Sequence, residues 1–291
     1  MPDSRDKSTA FSANRSLQCG DKIISLDIPK VMGILNLTPD SFYDGGRYQG
    51  QDKYLDRVEE MLLEGADIID VGCISTRPGA REVSEKEELH RLLDALMKLV
   101  RQFPDTIFSV DTFRAKVARL AVENGAGIIN DISGGNMDEG MFSAISELGV
   151  PYILMHMQGT PATMQINPSY NNLLNEVDLY FSNKIEHLKQ LGVNQIILDP
   201  GFGFGKSLGH NYSLLNDLPH FKRFGLPLLV GVSRKSMINK LLGIQAEEAL
   251  HATGVLNTLA LLGGADILRV HDVKEAVQVI KIVKAFRNKG E

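Results

Sequence analysis

Short apolar runs alternate with amphipathic segments from residue 31 onward. Eight of these runs are rich in Val, Ile and Leu and lack a regular in/out alternation, which is typical of strands buried on both faces. They are residues 31–35, 67–72, 106–111, 127–131, 152–156, 195–200, 227–233 and 266–271. The pattern therefore predicts a series of short, fully buried strands.

The segments between these strands carry helical signals. Ser84 and Glu87 have the spacing of a capping box, and apolar residues then recur at helical spacing through residue 103. Residues 171–191 repeat this pattern. Six glycines stand just before strands, where a helix would end in a left-handed residue: Gly65, Gly125, Gly149, Gly192, Gly225 and Gly264.

Eight strand–helix units in one chain predict a (β/α)8 TIM barrel, a fold whose usual size is about 250 residues. A doubly wound open sheet is the alternative, because the pattern does not show that the first strand meets the last. Residues 1–20 are polar and aperiodic and are predicted to be a flexible N-terminal tail. Residues 21–291 are predicted to form a single barrel domain.

Composition excludes several classes of partner. A net charge of −5 and a pI near 5.8 argue against general binding to nucleic acid or to anionic membranes. No run approaches the ~20 apolar residues of a membrane span, and no secretory signal pattern is present. Cys19 and Cys73 are far apart and suit a reducing compartment, so we expect a cytoplasmic protein.

Polar residues collect at or just after the carboxyl ends of the predicted strands, the face where TIM barrels build active sites. They are Asn36, Asp40, Asp70, Ser75, Thr76, Arg77, Asp111, Asn130, Asp131, His156, Asp199, Ser233, Arg234, Lys235, Arg269 and His271. Helix capping is an alternative explanation for Asp131 and Asp70. Capping does not explain Arg, Lys and His at equivalent positions, so the asymmetry predicts a site.

The segment GFGFGKS, residues 201–207, is similar to a phosphate-binding loop but does not match it. G-x-x-x-x-G-K-S would need Gly at position 200, where the chain has Pro. A tight turn with positive φ explains these glycines equally well. Zinc motifs and the serine-hydrolase motif G-x-S-x-G are absent from the sequence. Oxygen ligands dominate the predicted face, which would suit Mg²⁺.

The remaining residue types point to a class of ligand. Asp111, Asn130 and Asp199 are acceptors suited to the N–H donors of an amino-pyrimidinone edge. Cationic side chains, with a metal near Asn36, suit a phosphate or pyrophosphate. They are Arg77, Arg269 and His271. Lys235 is placed to neutralise developing charge or to bind a carbonyl. The residues alone predict a site for a polar heterocycle and a phosphorylated group.

Eight motifs in order resemble the dihydropteroate synthase family over essentially the whole chain after residue 30. They are NLTPDSFYDGG (36–46), STRPGA (75–80), SVDT (109–112), ND (130–131), MHMQGTP (155–161), DPGFGFGK (199–206), GVSRKS (231–236) and RVHD (269–272). The family fold is a (β/α)8 barrel. The resemblance implies that 7,8-dihydropterin-6-ylmethyl diphosphate condenses with 4-aminobenzoate to give 7,8-dihydropteroate and pyrophosphate. It implies SN1-like departure of Mg²⁺-bound pyrophosphate, a homodimer, and competition by sulfonamides.

The resemblance also implies residue roles. The pterin positions are Asp111, Asn130, Met155, Asp199 and Lys235, and the magnesium position is Asn36. The diphosphate positions are Asn36, Thr76, Arg77, Arg269 and His271. The aminobenzoate positions are Phe42, Thr76, Pro78, Lys235 and Ser236. Lys235, Asp111 and Arg77 are the expected catalytic residues.

The chain departs from the family pattern in two places. Gly72-Cys73-Ile74 stands where Gly-Gly-Glu is common, and Asn239 stands where Gly is more usual. Cys73 is interpreted as a packing variant, because no base is placed beside it by motif. The alternative functions are a methyltetrahydrofolate-type pterin methyltransferase, which shares the barrel, and a non-catalytic pterin-binding paralogue.

Overall fold

The computed structural model describes residues 15–37, 53–74 and 83–287. An antiparallel hairpin comes first, formed by β1 (Ser16–Cys19) and β2 (Lys22–Ser25). The parallel strands that follow are β3 (Lys30–Asn36), β4 (Ile68–Gly72), β5 (Ile107–Asp111), β6 (Ile128–Asp131), β7 (Tyr152–Met155), β8 (Ile196–Asp199), β9 (Leu229–Val230) and β10 (Ile267–Val270).

The helices of the described residues alternate with the strands. They are α1 (Lys53–Glu64), α2 (Glu85–Gln102), α3 (Ala115–Glu123), α4 (Met141–Leu148), α5 (Leu173–Gln190), α6 (Leu208–Asn216), α7 (Ser236–Leu242), α8 (Leu250–Leu262) and α9 (Val273–Arg287), with 3₁₀ helices at Leu218–Phe224 and Ala246–Glu248. Within the described part of the chain, no helix has both the length and the apolar character that crossing a membrane requires.

The strands close into a barrel. Their order is β8-β7-β6-β5-β4-β3-β10-β9, and a parallel bridge between Leu198 and Leu228 joins β8 to the residue before β9. The Leu198 N–H donates to the Pro227 carbonyl at 2.9 Å across this seam. The predicted (β/α)8 barrel is therefore confirmed, and the open doubly wound sheet is wrong.

One predicted strand is shorter than expected. The prediction covered residues 227–233, whereas β9 spans only Leu229–Val230. The Asp266 carboxylate accepts the Leu228 N–H at 2.9 Å, and a turn with Arg234 at φ 53° follows the strand. The Asp266 side chain thus takes the backbone donor before β9, and the turn ends the strand after Val230.

The hairpin corrects the predicted tail. Residues 16–19 were placed in the tail, but they form β1, in which Leu17 and Cys19 are each 3% exposed. These side chains pack in one cluster with a ring of interior residues from the barrel strands: Met32, Ile68, Ile107, Ile128, Ile153, Ile197, Leu229 and Ile267. Burial of this apolar surface holds the hairpin against the barrel. Residues 1–14 lie outside the described residues.

Three helix signals of the sequence are confirmed: the Ser84 cap of α2, the apolar stripe of α5 and the glycines at helix ends. Ser84 caps α2, where its Oγ accepts the Glu87 N–H at 3.3 Å. Val177, Phe181, Ile185 and Leu188 form the buried stripe of α5. All six glycines expected at helix ends have positive φ: Gly65, Gly125, Gly149, Gly192, Gly225 and Gly264. At these positions glycine lets the chain reverse into the next strand without Cβ strain.

Candidate active site

Along each barrel strand, the side chain two residues after the apolar ring residue lies on the same face of the strand. This is because successive side chains alternate between the two faces. For six of the eight strands this second layer is polar or lacks a side chain: Asp70, Ser109, Asn130, Asp199, Gly231 and Arg269; the other two strands contribute Ile34 and Met155. Two residues further, a third layer contains Asn36, Gly72, Asp111, Ser233 and His271. Parallel pairing sets Asn36 beside Gly72, Gly72 beside Asp111, and Asp111 beside Asn130. The predicted polar residues of these strands thus lie together at the carboxyl end of the barrel.

Arg269 connects the second and third layers. Its Nε donates to Asp70 Oδ2 at 2.7 Å, and its Nη2 donates to Asp111 Oδ2 at 3.0 Å. Asn130 Nδ2 donates to the same Asp70 oxygen at 3.0 Å. The buried Asp70 carboxylate therefore orients both Arg269 and Asn130. The sequence assigned Arg269 to the phosphate part of the ligand and Asn130 to the heterocycle.

Helix capping does not describe Asp70 or Asp131. Asp70 is fully buried inside the barrel and bonds Arg269 and Asn130 instead of a helix N-terminus. Asp131 accepts the backbone N–H groups of Ser133 and Gly135 at 2.7 and 2.8 Å, so it organises the turn after β6, while α4 begins only at Met141. The capping alternative is therefore wrong for both residues.

Sequence reasoning missed the role of Asp70, although a signal was present. An aspartate in the middle of the buried run IIDVG has no partner nearby in sequence, and a buried carboxylate requires one. The partner, Arg269, lies 199 residues away.

Lys235 lies at the N-cap position of α7, between β9 and β10 in the chain. Its Nζ donates to the Phe202 carbonyl and lies 4.7 Å from the centroid of the Phe204 ring. Arg234, the residue before it, makes a two-bond ion pair with Asp272 at 2.9 and 2.7 Å. This pair ties the Lys235 turn to the residue after His271, a connection that sequence reasoning also missed.

Asp199 ends β8 and is 6% exposed. Its Oδ1 accepts the Gly201 N–H at 2.8 Å. His271 follows β10, and its Nδ1 lies 3.0 Å from Ser233 Oγ, which also accepts the His271 N–H at 3.2 Å. Hydrogen bonds thus fix the Asp199 side chain in the second layer and the His271 side chain in the third layer.

An apolar patch lines one side of this polar region. Met155 is 2% exposed and packs with Ile132, Met157 and Met164, against which Phe113 and Phe204 also pack. Flexible, polarisable methionines and aromatic rings suit the faces of a flat heterocycle. Ser236 is exposed at the first residue of α7.

Six predicted site residues lie outside the described residues: Asp40, Phe42, Ser75, Thr76, Arg77 and Pro78. Their roles remain predictions.

The site shifts the pKa values of its charged groups. Burial raises the pKa of Asp111 to about 7, although Arg269 acts in the opposite direction. Burial also lowers the pKa of Lys235 to about 8, against the effect of Asp199. The pKa of Asp199 is raised by burial and lowered in part by Lys235. Such shifts are common where carboxylates and amines are held for binding or proton exchange.

Cys73 follows β4 and is 1% exposed within the hydrophobic core. Burial raises the pKa of its thiol to about 12, so the thiol is neutral and unreactive near pH 7. These properties support the interpretation of Cys73 as a packing variant.

A closed (β/α)8 barrel with polar and charged residues at the carboxyl ends of its strands defines the class of TIM-barrel enzymes, and comparison with known proteins agrees. The family model described as pterin binding enzyme matches residues 32–271. The Escherichia coli K12 dihydropteroate synthase is 48% identical over 265 residues, which cover 90% of this chain and 93% of the relative.

Solved structures give the same result. The Yersinia pestis dihydropteroate synthase, in a sulfonamide drug complex, is 44% identical with a TM-score of 0.88, covering 94% of this chain and 99% of that one. The Xanthomonas albilineans enzyme in complex with 7,8-dihydropteroate is 36% identical with a TM-score of 0.84 at the same coverage. This chain belongs to the dihydropteroate synthase family of pterin-binding enzymes. It is a transferase of folate synthesis that acts on small molecules.

Proposed function

We propose that the site condenses 7,8-dihydropterin-6-ylmethyl diphosphate with 4-aminobenzoate, giving 7,8-dihydropteroate and pyrophosphate. The observation that carries this proposal is the network joining Asp70, Arg269, Asp111 and Asn130 at the carboxyl end of the barrel. In this network, acceptors that suit a heterocycle lie beside a cation that suits a phosphate. Both substrate parts are therefore accommodated within two adjacent layers.

The pterin ring is bound by acceptors of the second and third layers. Asp199, Asn130 and Asp111 accept the ring N–H groups, and Met155 packs against a ring face. Lys235 donates to the pterin carbonyl or ring nitrogen. A charge-assisted contact of this kind is worth about 1.5–3 kcal/mol, so these contacts dominate binding of the ring.

The diphosphate is bound by Arg269 and His271 at the rim, together with Thr76 and Arg77. Arg269 offers the planar fork that suits phosphate oxygens. Its bonds to Asp70 and Asp111 hold the guanidinium in a fixed position between the second and third layers. These cations stabilise the charge that develops on the departing pyrophosphate.

A magnesium ion would be held near Asn36 at this rim. Asn36 Oδ1 and Asp111 Oδ2 lie 3.8 and 3.7 Å from the same point, the position a Cβ on Gly72 would occupy. Hard oxygen donors beside a diphosphate suit Mg²⁺, which keeps waters and takes few protein ligands. The described residues hold no cluster of three or more His, Cys, Asp and Glu, so Asn36 and the substrate would supply the ligands. A bound Mg²⁺ would neutralise charge on the leaving group.

The reaction proceeds by an SN1-like route. Pyrophosphate leaves first, and the pterin ring stabilises the methylene cation. The 4-aminobenzoate amine then captures this cation from a pocket formed by Phe42, Thr76, Pro78, Lys235 and Ser236, where sulfonamides compete. Exclusion of water from the closed site protects the cation.

Product analysis tests this proposal against its alternatives. Incubation with both substrates and Mg²⁺ should yield dihydropteroate, identified by mass spectrometry. A methyltransferase would instead consume methyltetrahydrofolate. A non-catalytic paralogue would bind the pterin without forming product. The intact Asp111, Lys235, Arg269 and His271 favour the synthase over the paralogue.

The proposal includes a homodimer and a cytoplasmic location. Val255, Leu259 and Leu262 lie on one face of α8 and are 45–49% exposed, and Ile282 and Phe286 on α9 are 68% and 73% exposed. We name these five residues the α8–α9 stripe. Exposed apolar residues at helical spacing on two contacting helices suit burial against a second copy. The two free, buried cysteines suit a reducing compartment.

A further inference from the structure

Lys206 is a buried amine that the reaction above does not use. It ends the GFGFGK segment and is 3% exposed. Its Nζ lies 2.9 Å from the Gly201 carbonyl oxygen, 3.1 Å from that of Phe204 and 3.3 Å from that of His156. The His156 Nδ1 is also 2.9 Å away. We name these four acceptors the Lys206 cradle.

The glycines of the GFGFGK segment allow its backbone to pack closely against the residues that follow β7. Gly201 and Gly205 have φ values of 71° and 63°. A Cβ on Gly201 would lie 1.9 Å from the His156 carbonyl oxygen, and one on Gly205 would lie 2.5 Å from that of Gln158. The glycines therefore allow backbone contact, and Lys206 binds the carbonyl oxygens that this contact brings together. Lys206, the lysine of the segment that is similar to a phosphate-binding loop, binds the backbone of its own loop.

This loop supplies the surroundings of Lys235. The Phe202 carbonyl accepts from Lys235 Nζ, and the Phe204 ring lies 4.7 Å from the same atom. The position of a Cβ on Gly203 is 3.3 Å from Lys235 Cδ. At the start of the loop, the Gly201 N–H orients Asp199. Two pterin-binding side chains thus depend on the conformation of residues 201–204.

We propose that Lys206 is a positioning residue that holds loop 201–206 against the end of β7, so that Phe202 and Phe204 fix Lys235 at the pterin pocket. Lys206 acts through Lys235 and does not touch the substrate. This inference rests on the proposed function, because it assigns pterin binding to Lys235.

The electrostatics of the cradle agree with this role. Burial holds the pKa of His156 well below its usual range, and Lys206 lowers it further, so the imidazole is neutral and its Nδ1–H-free tautomer can accept from the amine. Burial lowers the pKa of Lys206 to about 7, while Asp199 acts in the opposite direction. Asp199 is therefore coupled to both Lys206 and Lys235.

A double-mutant cycle on pterin affinity tests the inference. The variants are Lys206→Met, Lys235→Met and the double variant, with 7,8-dihydropterin-6-ylmethyl diphosphate as probe, well below each Tm. Each single change should weaken binding about tenfold or more, the loss expected for a charge-assisted bond. If Lys206 acts through Lys235, the double variant binds no more than about twofold more weakly than the worse single variant. A loss equal to the product of the single losses overturns the inference, as does unchanged affinity in Lys206→Met.

Tyr170→Phe is the matched control, because it removes only an outer bond from Tyr170 to the Gly205 carbonyl, 2.8 Å long. Its effect on affinity should be smaller than that of Lys206→Met, and an equal effect overturns the inference. Should Lys206→Met not fold, His156→Leu replaces it in the cycle, and His156→Asn, which retains an acceptor near the amine, should restore most of the affinity. Failure of Asn to restore it overturns the inference. Wild-type turnover, measured in parallel, separates failure of the inference from failure of the proposed function.

Discussion

Arg269 Nη2 donates to Asp111 Oδ2 at 3.0 Å, linking residues that are 158 positions apart in the chain. The same guanidinium donates through Nε to Asp70, which is fully buried. The arginine assigned to the diphosphate is thus bonded to the carboxylate assigned to the pterin. This contact couples the two halves of the substrate site, and its members can be tested singly.

Removal of Arg269 should destabilise the fold as well as weaken substrate binding. Arg269→Met leaves the Asp70 charge buried without its cation, a change that costs about 3–5 kcal/mol. The free energy of unfolding in urea measures this loss. Asp70→Asn in the Arg269→Met background should recover part of it, because residue 70 then carries no buried charge. An Arg269→Met protein as stable as wild type would contradict the proposed pairing.

Asp199→Asn should lower kcat/KM about 10- to 150-fold, since it removes a charge-assisted contact to the pterin worth about 1.5–3 kcal/mol. Asparagine can still accept the Gly201 N–H, so stability should change little. Asp105→Asn, at an exposed turn, is the control. Steady-state kinetics with varied pterin substrate give the comparison, and an unchanged kcat/KM would refute the role of Asp199.

The protonation of Lys235 should limit activity at alkaline pH. Its pKa is lowered to about 8 by burial, and the side chain must be protonated to act as a cationic donor. Therefore kcat/KM should fall about tenfold per pH unit well above pH 8. Lys235→Arg, if active, should lose this alkaline limb because arginine stays charged. A wild-type profile that is flat between about pH 7 and 10 would contradict the assignment.

Neither cysteine should react in the folded protein. Burial raises the pKa of both Cys19 and Cys73 to about 12, so little thiolate forms at pH 8. Iodoacetamide should label neither residue until the chain is unfolded, when both should be labelled. Native labelling of Cys73 with loss of activity would argue for a functional thiol.

Disruption of the α8–α9 stripe tests the proposed dimer. Light scattering after size exclusion should give twice the chain mass of 32.1 kDa for wild type. Leu259→Glu with Phe286→Glu places two charges on the exposed apolar faces and should yield monomers. Leu63→Glu on α1, where Leu63 is 84% exposed, is the control. A monomeric wild type would rule out the dimer at the concentration used.

Local patterns predicted most of the fold but not its closure. Apolar runs and glycines such as Gly65 and Gly125 specify where each strand begins, because burial and positive φ act within a few residues. The seam between Leu198 and Leu228 depends on strand tilt and register, which no local pattern encodes. β1 was missed because a four-residue strand in a polar segment has too few apolar positions.

The sequence predicted the types of residue that form the site, but it predicted few of the contacts between them. Acceptors and cations at strand ends marked Asp111, Asn130 and Asp199. The face on which Asp70 lies could not be inferred, since a strand buried on both faces shows no alternation. Its bond to Arg269 depends on the register of the barrel strands, which no local pattern in the sequence shows. The role of Lys206 was hidden by a motif that usually suggests phosphate.

Pyrophosphate release by the purified protein tests the central claim most directly. The assay contains 7,8-dihydropterin-6-ylmethyl diphosphate and Mg²⁺, with or without 4-aminobenzoate. The account predicts sustained release that requires the amine and matches dihydropteroate formation one to one. Tight pterin binding without release, in the presence of the amine, would contradict it.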